Sequence, residues 1–74
     1  MSERLVYFIN EAETTEDGQY IPCIAVEGET GCHRTDWDWG KDLEKARAWA
    51  NQRNKRMGIS LHEATKIQLA TRCL

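Results

Sequence analysis

The sequence predicts an α+β domain, in which a small antiparallel sheet of two to three strands is followed by two C-terminal helices packed on one face. Three observations support this fold class. A β-branched and aromatic run lies near the N-terminus, an Asp-Gly turn separates it from a second such run, and the second half spaces its apolar residues at helical intervals. Because 74 residues can enclose one small hydrophobic core, residues 1–74 are predicted to form a single domain.

Two strands are predicted to form an antiparallel hairpin. Leu5–Ile9 is an unbroken apolar run, which is typical of a strand with both faces at least partly covered. Tyr20–Val26 is the second strand, and Pro22 is expected near its start or at a sheet edge because proline has no N–H to donate. After a glycine-containing turn, Cys32–Trp37 is predicted to be a short third strand.

The first helix is predicted to begin at Asp42, whose side chain suits the N-cap, and to end before Gly58. Gly58 is expected in the left-handed conformation, with Ile59 making the apolar contact that accompanies this kind of helix ending. The predicted buried stripe contains Leu43, Ala46, Ala50 and Met57.

The second helix is predicted to follow at once, because Ser60-Leu61-His62-Glu63 matches the capping box. In that motif, the serine side chain and the glutamate three residues later each accept from the other's backbone N–H. The helix is expected to fray near Thr71. Its predicted buried stripe contains Leu61, Ala64, Ile67, Ala70 and Leu74.

Asp36-Trp37-Asp38-Trp39-Gly40 places two of the three tryptophans and two carboxylates in five residues. In an extended chain, both indoles would lie on one face and both carboxylates on the other, and Gly40 would let the chain bend into the helix. Two interpretations follow. Either the indoles close the core where sheet meets helix, or Asp36, Trp37, Asp38 and Trp39 form a contact surface for a partner. A buried Trp39 would favour the first.

Charge is divided between the two halves of the chain. Residues 1–40 contain two basic and nine acidic residues, whereas residues 41–74 contain eight basic and three acidic ones. The halves either compensate each other in the folded protein or leave a basic surface for nucleic acid. In the second case, helices 42–57 and 60–72 would bind nucleic acid, and phosphates would be contacted by Arg47, Arg53, Lys55 and Arg56.

Two further surfaces are candidates for contact. The acidic loop Glu11–Asp17 most simply keeps the hairpin solvated, and the alternative is mimicry of phosphate charge toward a basic partner. With both helices on one sheet face, the opposite face carries either the even-numbered or the odd-numbered residues of Leu5–Ile9. A second copy of the chain would cover such a face, which predicts a homodimer as one form of the protein.

Metal binding and catalysis are not expected. The candidate metal ligands are Cys23, Cys32, His33, His62 and Cys73. They lack the closely spaced pairs in the sequence, such as Cys-x-x-Cys, that zinc sites usually have. An adjacent cysteine and histidine do not by themselves form a catalytic dyad, and a chain this small leaves Asp36 and Asp38 little room for a cleft. We therefore expect reduced thiols, no cofactor and no enzymatic activity.

The N-terminal apolar run is too short for the core of a signal peptide, and no segment approaches the roughly 20 apolar residues of a membrane span. A cytoplasmic protein without membrane contact is therefore expected.

From Tyr20 onward, the chain resembles a group of short bacterial and phage-type proteins that have no assigned activity. The resemblance covers roughly two-thirds of the chain and rests on a set of short matching segments. They are Tyr20-Ile21-Pro22, Glu29-Thr30-Gly31, Thr35-Asp36-Trp37-Asp38-Trp39-Gly40, Ala46, Ala50, Asn54, Met57-Gly58-Ile59-Ser60 and Glu63-Ala64. Cys32 and His33 depart from the pattern, which has aromatic or other residues there.

The resemblance implies an intracellular protein, often carried by a phage or prophage. Together with the residues, it predicts a non-enzymatic accessory or interaction protein that acts by protein contact or self-association. Nucleic-acid binding through the two basic helices is the alternative.

Overall fold

A three-stranded antiparallel sheet followed by two helices forms the fold in the computed structural model, which describes residues 4–72. The predicted α+β class is thereby confirmed. The elements are β1 (Leu5–Phe8), β2 (Cys23–Val26), β3 (Cys32–Arg34), α1 (Leu43–Arg56) and α2 (Leu61–Thr71). Strand β2 lies in the centre and pairs antiparallel with both neighbours. Neither helix within residues 4–72 is long and apolar enough to cross a lipid bilayer.

One face of the sheet is buried beneath α2. Val6 lies opposite Ala25, and Phe8 lies opposite Cys23, and all four side chains are at most 5% exposed. They form one apolar cluster with Ile59, Ala64 and Ile67. This cluster is the main core, because it joins two strands, the interhelical turn and one helix.

The opposite face, here called the open face, is only partly covered. It carries Leu5 and Tyr7 of β1 and Ile24 and Val26 of β2, because successive strand side chains alternate between faces. All four side chains are half-buried. The prediction that both faces of the first strand are at least partly covered is confirmed.

Helix α1 lies along the outer edge of β1, where a single side chain replaces a missing strand. Arg4 O accepts from Glu27 N at 2.7 Å, and alternation along an antiparallel ladder then directs the N–H and C=O of Tyr7 away from β2. Both groups are bonded by Asn54, whose Oδ1 accepts from Tyr7 N at 2.7 Å and whose Nδ2 donates to Tyr7 O at 2.9 Å. Asn54 is 2% exposed. Its amide therefore caps the edge of the sheet from the helix.

The predicted helix starts are confirmed at both N-caps. Asp42 accepts from Lys45 N at 3.1 Å, and Ser60 Oγ accepts from Glu63 N at 3.2 Å. The second half of the capping box is replaced by an ion pair, because the Glu63 carboxylate binds the Arg4 guanidinium at 2.5 Å. The motif therefore joins α2 to the start of β1 as well as capping the helix.

The turn between the helices is a Schellman motif, as Gly58 and Ile59 predict. Gly58 has φ +81°, its N–H donates to Lys55 O, and Ile59 N donates to Asn54 O, both at 3.0 Å. The backbone N–H groups that follow α1 thereby donate hydrogen bonds to the last carbonyl groups of the helix. The side chain of Ile59 enters the main core, which fixes the direction in which α2 departs.

The predicted buried stripes are partly wrong at the helix ends. Met57 is exposed because it is the C-cap residue, where the chain has left the helical path. In α2, Ala64, Ile67 and Thr71 lie within about 60° of one another around the helix, and these three are buried. The exposed Leu61 and Ala70 lie on the two flanks of that stripe. Leu74, the last predicted member, falls outside the described residues.

The N-terminal edge is held by Arg4, which binds two carboxylates from different elements. Its Nη2 lies 2.7 Å from Glu27 Oε2, and the hydrogen bond from Arg4 lowers the pKa of Glu27 below its usual range. A carboxylate with a lowered pKa in the folded state stabilises the protein above its ordinary pKa of about 4.3. That contribution is lost as pH falls below this value through the lowered pKa.

We therefore expect the stability of Glu27→Gln to depend less on pH in the acidic range than that of the wild type. Urea midpoints measured between pH 7 and about pH 3 should fall less steeply in the variant than in the wild type. Glu16→Gln is the matched control, because Glu16 is an exposed loop residue. An unchanged slope in Glu27→Gln would contradict the assigned role of the Arg4 pair.

Candidate functional site

The predicted third strand ends early, at Arg34. The tryptophan-containing segment after it is a loop that hydrogen bonds fix at both ends. Thr35 donates from its backbone N–H and from Oγ1 to Pro22 O, at 2.9 and 2.7 Å. Trp39 N donates to Tyr20 O, and Tyr20 N donates to Gly40 O, both at 2.8 Å. Three residues between these anchors face a single residue, Ile21, of the opposite segment, so the loop is two residues longer than its partner. Both indoles nevertheless pack against the same ring of α1, and both carboxylates are exposed, which agrees with the expected separation of indoles from carboxylates.

The loop brings Trp37 onto the open face of the sheet. Its indole stacks on Tyr7 with ring centroids 5.9 Å apart and an interplanar angle of 22°. Trp49 of α1 packs edge-on against both rings, at 5.7 Å from Tyr7 and 5.9 Å from Trp37. Three rings from a strand, a loop and a helix therefore form one cluster at favourable aromatic spacing.

The guanidinium of Arg53 lies over this cluster. Its Cζ is 5.3 Å from the ring centroid of Tyr7, 5.7 Å from that of Trp37 and 5.9 Å from that of Trp49. These distances are within the range of cation–π attraction. Arg53 follows Trp49 by one helical turn, which places the two side chains on the same side of α1. Tyr7, Trp37, Trp49 and Arg53 are called the aromatic surface.

The two tryptophans of the loop have different environments. Trp39 is half-buried and lies 6.1 Å from Trp49, against a second apolar cluster formed by Ile9, Ala46 and Ala50. Its main contribution is to packing beside α1. Trp37 is 44% exposed, although its ring contacts Tyr7 and Trp49. Of the two indoles among the four predicted contact residues, Trp37 is therefore the more exposed one, and Trp39 packs against Trp49.

The two aspartates of the loop are exposed on either side of Trp37 in the sequence. Within residues 4–72, no basic side chain lies within 4.0 Å of the carboxylates of Asp36 and Asp38. Arg53 likewise has no carboxylate within that distance in the described part of the chain. Unpaired charges of both signs therefore border the aromatic surface.

The basic residues predicted to contact nucleic acid do not form one surface. Arg47 is paired with Glu11 of the acidic loop at 3.3 Å, whereas Arg53 covers the aromatic rings. At 100° per residue, Lys55 lies about 160° from Arg53 around α1, whereas Arg56 lies about 60° from it. The acidic loop also pairs Glu13 with Arg34 at 3.3 Å. Only the Arg47–Glu11 pair of these two joins the basic half of the chain to the acidic half, and it indicates that the halves partly compensate each other.

A shallow groove of about 1030 Å³ runs along the outer side of α1. Its apolar lining includes Trp39, Trp49 and Leu61, and Lys45 and Lys55 also line it. Leu61 is 63% exposed there. Because Trp49 borders both the groove and the aromatic surface, the two features are adjacent on the molecule.

The side chains that could bind a metal are dispersed. Cys23 is buried in the main core, Cys32 is exposed on β3, and His33 bonds Glu29 at 2.9 Å. His62 is exposed on α2, and Cys73 lies outside the described residues. Within residues 4–72, no three His, Cys, Asp or Glu side chains are grouped to hold a metal ion. The geometry offers aromatic and ionic contacts to a ligand at the aromatic surface instead.

Tyr7 and Trp49 are not among the contact residues that the sequence predicts. The spacing of Trp49 and Arg53, four residues apart on a predicted helix, was a usable signal, because such side chains are neighbours on the helix surface. The position of Tyr7 depends on which face of the sheet α2 covers, and no local pattern specifies that choice.

Comparisons with protein-family models, with curated proteins and with solved structures give no match for this chain.

Proposed function

We propose that this protein is a non-enzymatic binding protein that contacts another protein through the aromatic surface. The observation that carries the proposal is the exposed Trp37 ring, held between Tyr7 and Trp49 beneath the Arg53 guanidinium. Tryptophan, tyrosine and arginine are the residue types most enriched among those that dominate binding energy at protein interfaces.

The arrangement favours binding because the side chains are already ordered. Trp37 is fixed by ring contacts with Tyr7 and Trp49, and its backbone N–H donates to Thr35 Oγ1 at 3.3 Å. Immobilising a flexible side chain at an interface costs about 0.5–1.5 kcal/mol, and a preordered ring avoids much of that cost. The free Arg53 charge adds a site for a carboxylate or carbonyl of the partner.

The resemblance to short bacterial and phage-type proteins supports an accessory role in a mobile element. An intracellular location and the absence of catalysis are parts of the same proposal. Cys32 and His33, the residues at which this chain departs from the shared pattern, lie outside the aromatic surface.

The test is site-specific photocrosslinking from the aromatic surface in the native host. We would replace Trp37 with p-benzoyl-phenylalanine, which keeps an aromatic ring at the position. The matched control carries the same group in place of Leu69, an exposed apolar residue of α2. We expect discrete protein adducts from position 37 and no corresponding adducts from position 69.

Equal adduct patterns at both positions, or no protein adduct at position 37, would contradict the proposal. Circular dichroism of both purified variants establishes that each is folded. The mass of an adduct separates a second copy of this chain, at about twice 8.6 kDa, from a different protein.

Nucleic acid is the second candidate partner, because an exposed tryptophan beside an arginine can stack on an unpaired base. The basic residues of α1 would then contact phosphates, with Arg56 a neighbour of Arg53 on the helix surface because the two are three residues apart. Binding of a labelled single-stranded oligonucleotide should weaken steeply as salt rises and should require Trp37. Binding that is undetectable at low salt would reject this candidate.

A further inference from the structure

We infer that the partner of the aromatic surface is a second copy of this chain, bound through a two-fold interface. The inference rests on the proposed function and names its partner. Three observations carry it: an apolar sheet face that is only partly covered, unpaired charges of opposite sign at that face, and the surface area that a stable dimer must bury.

The open face lacks the cover that the opposite face receives from α2. Leu5, Tyr7, Ile24 and Val26 are half-buried, whereas the four side chains beneath α2 are at most 5% exposed. Helix α1 lies at the edge of the sheet and contacts the open face through Trp49 and Arg53. The outward side of Trp37 therefore continues an apolar surface that extends across two strands.

The charges at this surface are complementary to one another. In a two-fold interface, the same patch of both protomers meets itself, so each charge must find its opposite elsewhere within the patch. Asp36 and Asp38 border Trp37 in the loop, and Arg53 lies over the Trp37 ring. None of these three has an ion-pair partner within residues 4–72. A two-fold axis near Trp37 allows Arg53 of each protomer to meet the aspartates of its partner.

The surface area that a stable dimer must bury is a modest fraction of the surface of this chain. A standard interface buries about 800 Å² on each partner, which is about 15% of the 5207 Å² surface of this chain. The aromatic surface and the open face together occupy one contiguous side of the sheet. Because small domains bury little surface on folding, covering this side would also add stability that depends on protein concentration.

Sedimentation equilibrium of the full chain is the first measurement. We expect a monomer–dimer equilibrium with a dissociation constant below about 100 µM, and Trp37→Ala should raise that constant at least about tenfold. Leu69→Ala is the matched control and should leave the constant unchanged, because Leu69 is exposed on α2 away from the open face.

A charge exchange tests the two-fold geometry directly. In the acidic variant Arg53→Glu, the new carboxylate would meet the aspartates of the partner protomer. In the basic variant Asp36→Arg/Asp38→Arg, the new arginines would meet the partner's residue 53, which is also arginine. Like charges repel in both cases, so each variant should be monomeric when alone. Mixed in equal amounts, they should form a heterodimer, because both cross-contacts are then attractive. This experiment remains informative if Trp37→Ala is unfolded, since it changes only exposed side chains.

The inference is overturned if the wild type is monomeric at about 500 µM, a concentration that would populate even a weak dimer. It is also overturned if the dimer is insensitive to Trp37→Ala and the two charge variants do not associate when mixed. A monomeric chain that still crosslinks to a different protein from position 37 would overturn the inference and leave the proposed function intact.

Discussion

Asn54→Ala is expected to destabilise the fold by about 3–5 kcal/mol, because it leaves two backbone groups of Tyr7 without partners inside the protein. The amide of Asn54 is 2% exposed and bonds both Tyr7 N and Tyr7 O. A domain of 74 residues has a total stability of about 4–11 kcal/mol. The variant should therefore lose a large fraction of its stability, which a urea midpoint well below that of the wild type would show.

The chemistry of this contact can be separated from its size with Asn54→Asp. Aspartate has nearly the same shape and can still accept from Tyr7 N, but its carboxylate cannot donate to Tyr7 O. A buried charge beside a carbonyl oxygen adds a further cost at neutral pH. We expect Asn54→Asp to be destabilised at pH 7 by at least about 2 kcal/mol.

Urea denaturation followed by circular dichroism measures both changes. The control is Asn51→Ala, an exposed position on the same helix, for which alanine should change stability by no more than about 0.5 kcal/mol. If Asn54→Ala stays within about 1 kcal/mol of the wild type, water has replaced the amide at the sheet edge. The edge-capping role would then be wrong.

The contrast between Asn54 and the helix ends explains which features the sequence could predict. Asp42, Gly58 and Ser60 act on groups within a few residues of themselves, so their identity and spacing are sufficient to predict both N-caps and the turn. Asn54 acts on Tyr7, which is 47 residues away. The sequence alone identifies Asn54 only as a polar residue in a helix. The packing of α1 along β1 is what brings its amide to the backbone of Tyr7.

The same distinction applies to the contact residues. Alternation along Asp36–Gly40 predicts the separation of indoles from carboxylates, whereas hydrogen bonds from Thr35 and Trp39 to Tyr20–Pro22 fix the loop at both ends. Composition marks the segment as unusual, whereas the environment of each indole depends on those long-range bonds. An exposed Trp37 and a half-buried Trp39 could not be distinguished by local sequence, because both are tryptophans two residues apart with aspartates before them.

Trp49→Ala is the second change with a large expected effect, because this indole contacts three other rings. It lies 5.7 Å from Tyr7, 5.9 Å from Trp37 and 6.1 Å from Trp39. Replacing a fully buried tryptophan by alanine costs about 3–5 kcal/mol, and the half-buried position of Trp49 reduces this to about 2–3 kcal/mol. Partner binding should be lost as well, since Trp37 loses the ring against which it packs.

Comparison with Trp37→Ala separates packing from contact. Trp37 is 44% exposed, so its removal should cost about 1 kcal/mol or less in stability while strongly weakening association. The Trp37→Ala/Trp49→Ala double mutant completes a cycle, in which we expect a coupling energy of about 0.5–1.5 kcal/mol from the lost ring pair. Urea denaturation should be measured at a protein concentration low enough to dissociate any dimer.

Trp49→Phe provides the final distinction, because phenylalanine keeps an apolar ring on α1 but presents a smaller face to its neighbours. Stability should recover to within about 1.5 kcal/mol of the wild type. Association should recover only in part, because Arg53 then lies over a weaker cation–π ring. Equal stability of Trp49→Ala and Trp37→Ala would contradict the assignment of Trp49 as the support of the surface. It would mean that Tyr7 alone positions Trp37, and that helix α1 contributes to the contact only through the charge of Arg53.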